Sequence, residues 1–309
     1  FPNHKLEWIN DETGEGGAME NKDKPQETKD NEDRKKGEAL ARSQTDPLYL
    51  QDHFLRGGRD KDTKNATATF VQFCGKQYVV TCRHVLEIVQ KRKERSDRAR
   101  FPTMALVVER AVLNLSFFSA QGLQYALRTP KPDEGDAPLD LAIAEVSGAH
   151  WSLLAQRKGK TAIDLDNWRE PKWVRAKMLV AAGYPDEQKT HVKVDQQNML
   201  GAPFVLLAAE KKGTIDRHHQ FAEMYSRLPQ PHGYHFSGMS GGAMYIVQGD
   251  IIIPMAIVFE GWPQSRNSKP HPTLTANNIY IRGLTLTPAT FSDWLVKANL
   301  NSPKSGTAR

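Results

Sequence analysis

A chain of 309 residues with 39% hydrophobic and 25% charged residues is long enough for one large domain or two small ones around a sizeable core. No stretch approaches the roughly 18 apolar residues of a membrane-spanning helix, and the sequence opens without a charged-then-apolar leader, so the expected setting is cytoplasmic. The net charge is +6, but residues 1–46 hold eight Lys/Arg against twelve Asp/Glu. The positive excess therefore lies in the remainder, where it keeps a surface soluble or attracts acidic partners.

In chain order, residues 1–46 are expected to form a flexible charged arm. Between Asn10 and Gly37 its only hydrophobic residues are Ala18 and Met19, too few to offset the entropy of ordering. Leu6, Trp8 and Ile9 are a candidate docking tag. Residues 47–150 follow as a β-rich domain. Thr69 to Phe73, a Gly75-Lys76 turn and Tyr78 to Cys82 suggest a hairpin, with His84 just past its second strand. That register sets Cys74 and Cys82 far apart, so both thiols are expected free and mostly buried. Val85 to Arg98 is helix-like and ends in the basic run Lys91 to Arg95, a solvated face rather than a nucleic-acid site, since no aromatics interleave it. Leu106 to Val108 and Ala111 to Phe118 are further strands, and a Pro/Asp/Gly loop delivers Asp140 to the start of another. Residues 151–172 are a connection. A second β-rich domain spans 173–286, and Thr287-Pro288 caps a helix in 287–309, with Phe291, Trp294, Leu295 and Ala298 on one face. Asn65 and Asn114 head glycosylation sequons, taken as chance occurrences.

The stretch Gly238-Met239-Ser240-Gly241-Gly242 puts an exposed hydroxyl on a tight bend where backbone can approach a substrate closely. Its spacing also fits a G-x-S-x-G nucleophile elbow, which needs a helix after the serine. Instead two β-branched runs follow, separated by Gly249-Asp250, and they suggest a strand pair. Upstream, His84 closes Val79-Val80-Thr81-Cys82-Arg83-His84, and Asp140 opens Asp140-Leu141-Ala142-Ile143. These three segments, in this order, resemble the V-T-A-x-H, D-[IL]-A-[LIV] and G-x-S-G-G motifs of the trypsin-like (chymotrypsin-fold) serine proteases. The likeness covers roughly residues 60 to 300.

The resemblance implies an all-β fold: two antiparallel six-stranded β-barrels, one over 47–150 and one over 173–286, with a C-terminal α-helix and a disordered N-terminal arm. It implies a serine endopeptidase with His84 as general base, Asp140 holding its imidazole and Ser240 as nucleophile. The backbone N–H groups of Gly238 and Ser240 would form the oxyanion hole. Neither metal nor organic cofactor is expected; His218-His219 lacks a third ligand at metal spacing. Tyr234 occupies the expected base of a substrate pocket, and Phe259, Glu260 and Gly261 its wall, which suggests an uncharged residue before the cleaved bond. The chain departs from the family where Met239 replaces a zymogen aspartate, Phe259 a serine that supports the triad aspartate, and Cys82 an alanine. Expected partners are a protein or peptide substrate and a regulatory protein, with no membrane and no nucleic acid. The rival expectation is a catalytically silent scaffold of the same fold that binds a protein or nucleic acid.

Overall fold

A computed structural model describes residues 24–51, 64–88, 103–108, 111–114, 127–172, 178–185, 190–194, 197–202, 204–210, 214–215, 220–227, 238–248, 251–262 and 278–300. Most of the described chain is β-structure, in two seven-stranded sheets and a separate hairpin. The first sheet contains β1 (Thr45–Gln51), β2 (Lys64–Phe73), β3 (Lys76–Thr81), β4 (Thr103–Val108), β5 (Ala111–Asn114) and β6 (Ala142–Val146), ordered β5-β4-β1-β2-β3-β6. The short β7 (Ile163–Asp164) lies parallel to β2. The second sheet is built from β8 (Met178–Gly183), β11 (Val205–Glu210), β12 (Thr214–Ile215), β13 (Phe221–Arg227), β14 (Ala243–Gln248), β15 (Ile251–Trp262) and β16 (Asn278–Thr285). Its order is β11-β8-β14-β15-β16-β13-β12, and β9 (Thr190–Val194) pairs with β10 (Gln197–Gly201) apart from it.

The expectation of a mostly β fold with a C-terminal helix is met, but two closed six-stranded barrels are not traced: among the described residues no ladder joins β5 to β6 or β11 to β12.

The β2–β3 hairpin forms as expected, but its turn lies one residue earlier. Phe73 pairs with Lys76, leaving Cys74 (φ 51°) and Gly75 (φ 71°) as the two turn residues. A two-residue hairpin turn that follows the sheet's twist needs positive φ at both central positions. Cys74 is held there because Asp166 accepts hydrogen bonds from its N–H and from that of Gly75. The Cys74 thiol is therefore exposed rather than buried, while Cys82 is buried.

Tyr78, Val79 and Val80 are all fully buried, because the first sheet is covered on both faces. Phe70 and Val79 face a core with Leu48, Leu106 and Leu154. Val71, Tyr78 and Val80 turn the other way, toward Tyr245, Ile257 and Leu284 of the second sheet. That double covering explains a continuous apolar run in place of alternation. The C-terminal helix seals this interface: in Pro288–Lys297, Thr287 caps the N-terminus with Pro at the first turn, and Phe291, Trp294 and Leu295 are buried as the sequence implied.

A further correction concerns the arm. Residues 1–23 lie outside the described residues, but Lys24–Gln44 is an α-helix, α1. Its charged composition hides a short docking end. Ala41 is buried, the Arg42 guanidinium lies 5.0 Å from the Phe204 ring centroid, and Gln44 Oε1 accepts from the Tyr245 hydroxyl at 3.0 Å. Just beyond, the buried Asp46 receives Lys158 and, at 3.0 Å, Lys160. Lys158 closes the helix Gly148–Lys158, α3, which follows β6. Asp46→Asn is expected to cost about 2 kcal/mol, since it removes a charge-assisted bond from two lysines, one of them almost fully enclosed. Urea denaturation measures this; an unchanged midpoint would mean the lysines are solvated where they stand.

Candidate active site

His84 lies in the helical turn 83–88, α2, which begins where β3 ends. Asp140 stands two residues before β6, and β6 pairs with β3 from Thr81↔Ala142 to Gln77↔Val146. That ladder brings the two side chains together. One carboxylate oxygen accepts the His84 backbone N–H at 2.9 Å, and the other lies 2.6 Å from His84 Nδ1. Two-point attachment fixes both the ring and the chain that carries it. Burial pushes the Asp140 carboxyl up, but the hydrogen bonds and charge of His84, with the charge of Arg83, outweigh it and hold the group below its ordinary 3.8.

The sign of the pH dependence follows. A carboxyl with a lowered folded-state pKa adds stability above about pH 4, and loses it as pH falls through the lower folded value. Asp140→Asn should therefore flatten the acid limb of a Tm-against-pH curve below about pH 4. A limb of unchanged steepness would assign acid sensitivity to other groups.

The serine bend lies before β14, at the junction of the two sheets. Every carbonyl from 238 to 242 has a partner. Thr67 Oγ1 donates to Gly238 O (2.8 Å) and Thr69 Oγ1 to Gly241 O (2.7 Å). Gly242 N–H bonds to Met239 O, Thr67 N–H to Ser240 O and Val258 N–H to Gly242 O. Gly241 N–H donates to Val258 O. With the carbonyls turned into the protein, the Ser240 N–H has no acceptor among the described residues. A donor left without an acceptor in this way can stabilise negative charge. Gly238, at φ 87°, adopts the left-handed conformation that glycine permits most readily.

Cys82 lies beside His84 and Asp140. Its sulfur donates to Val258 O at 3.2 Å, and its donor atom and those of His84 and Asp140 all fall within 4.8 Å of one another. The Ser240 side chain and the Gly241 N–H also act on this sulfur. Burial, then the Asp140 charge, push the thiol well above its usual value despite those two hydrogen bonds. In this arrangement the imidazole and carboxylate engage each other, a pairing suited to moving a proton.

Of the expected pocket residues, Tyr234 lies outside the described residues, as does His218-His219. Phe259 falls at a register irregularity of the β15–β16 ladder, a bulge of the kind that re-aims side chains beside a site. It packs against both the core of the first sheet and the core between the sheets, with its ring centroid 5.8 Å from that of Phe221. Glu260 pairs in register with Arg282 and Gly261 with Ile281. Arg282 stacks over Phe221 at 4.0 Å and pairs with Glu223 at 3.2 Å. Nothing in the sequence marks Arg282 or Phe221 as neighbours of Phe259, because β13 and β16 meet only in the folded sheet. Thr67 and Thr69 were missed as well; their one signal is a pair of hydroxyls, two residues apart, alternating with Ala66, Ala68 and Phe70.

No family model matches this chain, and no curated protein does. Several solved structures resemble it. A thermostable serine protease, AL20, from an extremophilic microorganism is 14% identical with a TM-score of 0.45, over 85% of this chain and 100% of that one. The protease Anisep from Arthrobacter nicotinovorans is 13% identical with a TM-score of 0.40, over 83% and 96%. A structure described by the coupled folding and binding of the intrinsically disordered Sesbania mosaic virus VPg protein is 13% identical with a TM-score of 0.39, over 83% and 92%. At these identities function has to be read from the residues of this chain.

Proposed function

We propose that the protein is a serine endopeptidase acting through an acyl-enzyme. His84 takes the Ser240 proton as the hydroxyl oxygen attacks the peptide carbonyl carbon. Asp140 holds the Nδ1–H and offsets the charge on the ring. The oxyanion is received by the N–H groups of Gly238 and Ser240. Collapse expels the amine with the proton from His84, and water activated by the same imidazole releases the acyl group. The reading is supported by one observation: Asp140 grips His84 through both its ring and its backbone N–H, while the serine bend is hydrogen-bonded to β2, the strand paired with the one that leads to His84. Phe259, Glu260 and Gly261, with Tyr234, form the proposed pocket. The aromatic character of that set favours an uncharged residue before the scissile bond.

A second reading, a silent scaffold of the same fold, is favoured by a different observation. Among the described residues the hydrogen bonds of His84 run to Asp140 and none runs to Ser240. Catalytic hydrogen bonds commonly tighten only with substrate in place, so the enzyme reading is preferred. Labelling with a fluorophosphonate probe, followed by peptide mapping, decides between them. An adduct on Ser240 is expected; its absence across a range of pH and salt would leave the scaffold.

A further inference from the structure

The Thr67 hydroxyl, on β2 and fully buried, joins three segments. It donates to Gly238 O at 2.8 Å and accepts the Tyr184 N–H at 3.0 Å. On the same residue, the backbone N–H donates to Ser240 O at 3.0 Å, and the carbonyl accepts from the Thr81 hydroxyl at 2.9 Å. Thr67 thus holds the carbonyls of Gly238 and Ser240, on either side of Met239. Fixing a carbonyl fixes the plane of its peptide, so Thr67 pins the Gly238–Met239 and Ser240–Gly241 peptides, the two that flank the peptide carrying the Ser240 N–H.

We propose that Thr67 is the positioning residue of the serine bend: its hydroxyl, shared between Tyr184 N–H and Gly238 O, fixes the Gly238–Met239 peptide, and with its own N–H on Ser240 O it limits how far the intervening peptide, which carries the Ser240 N–H donor, can rotate. The inference rests on the reading of Ser240 as a nucleophile. The alternative for a glycine-rich bend is to rotate that peptide, turning a carbonyl where donors are needed. Glycine at 238 makes the rotation easy, and a stiff β-branched side chain opposite makes it costly. The three partners lie on β2, on the residue after β8 and on the bend, so the site is set where the two sheets meet.

The test compares Thr67→Val, which keeps the shape and removes the hydroxyl, with Thr67→Ser, which keeps the hydroxyl. The valine variant should be labelled by a fluorophosphonate at Ser240 at least about tenfold more slowly, a fraction of what losing an oxyanion donor costs. Its kcat should fall with KM nearly unchanged, and its amides at 238–242 should exchange hydrogen faster. The serine variant should restore all three. Parent rates and parent exchange in Thr67→Val would overturn the proposal. So would an equal loss in Thr67→Ser, which would assign the effect to the methyl group. Should the valine variant fail to fold, Thr67→Ala removes the hydroxyl with less crowding and takes its place. If the parent itself is never labelled, the protease reading fails, and amide exchange still decides whether Thr67 orders the bend.

Discussion

Ser240→Ala is expected to lower peptide hydrolysis by about 10⁴–10⁶-fold while the protein stays folded. The magnitude is that of removing the nucleophile from a unit whose members act together. Non-additivity makes the prediction sharper. If His84 serves only to activate Ser240, then Ser240→Ala and Ser240→Ala/His84→Ala should be equally slow, where independent contributions would multiply. Stability should move by less than about 0.5 kcal/mol, because the change removes one hydroxyl that touches the Cys82 sulfur and leaves every carbonyl of the bend partnered. Steady-state hydrolysis of a peptide library, with thermal melts of each variant, provides the measurement. A Ser240→Ala protein that cuts the library at the parent rate would show the nucleophile to be misassigned.

Gly241→Ala should be the most destabilising single methyl in the molecule's centre. Gly241 has φ 90°, and a Cβ there would stand 2.0 Å from Thr67 O, 2.6 Å from Thr81 Oγ1 and 2.9 Å from Thr81 Cα. Left-handed backbone costs an alanine about 1–2 kcal/mol, and overpacking a dense core adds about 1–3. Relief is blocked: Thr67 is paired to β1 at Pro47 and Thr81 to β6 at Ala142, so moving either breaks a ladder. A loss of about 4 kcal/mol is the expected sum, a large fraction of the roughly 5–15 that a domain commands. Gly75→Ala is the control, since φ is 71° there but nothing lies within 4 Å of the added carbon. Chemical denaturation of the two variants separates conformational strain from collision. Equal losses would mean that the bend can relax away from β2.

The comparison of sequence with structure turns on which interactions are local. The apolar run at Tyr78–Cys82, the Asp140–Val146 strand and the Thr287-Pro288 helix start were legible because each is written in adjacent residues. The His84–Asp140 pairing was anticipated through motif likeness, and its geometry follows from the β3–β6 ladder. The arm was misjudged because composition averages over a segment. The last two turns of the helix, with Gly37 against Ile252 and Ala41 and Gln44 buried, dock a helix whose first half is almost wholly charged and polar. The Cys74-Gly75 turn was displaced by one residue because its conformation depends on Asp166, about ninety residues away in sequence.

Taken alone, the sequence determined that the chain is mainly β-structure with a C-terminal helix, where several of its strands lie, and which segments resemble the motifs around His84, Asp140 and Ser240. Only the tertiary structure decided how the strands pair, that the Cys82 sulfur sits beside His84 and Asp140, and that Thr67 and Thr69 grip the serine bend. The physical reason is range. Propensity and pattern act over a few residues, whereas a buried carbonyl accepts its hydrogen bond from whichever strand the fold brings within 3 Å, and that strand can come from anywhere in the chain.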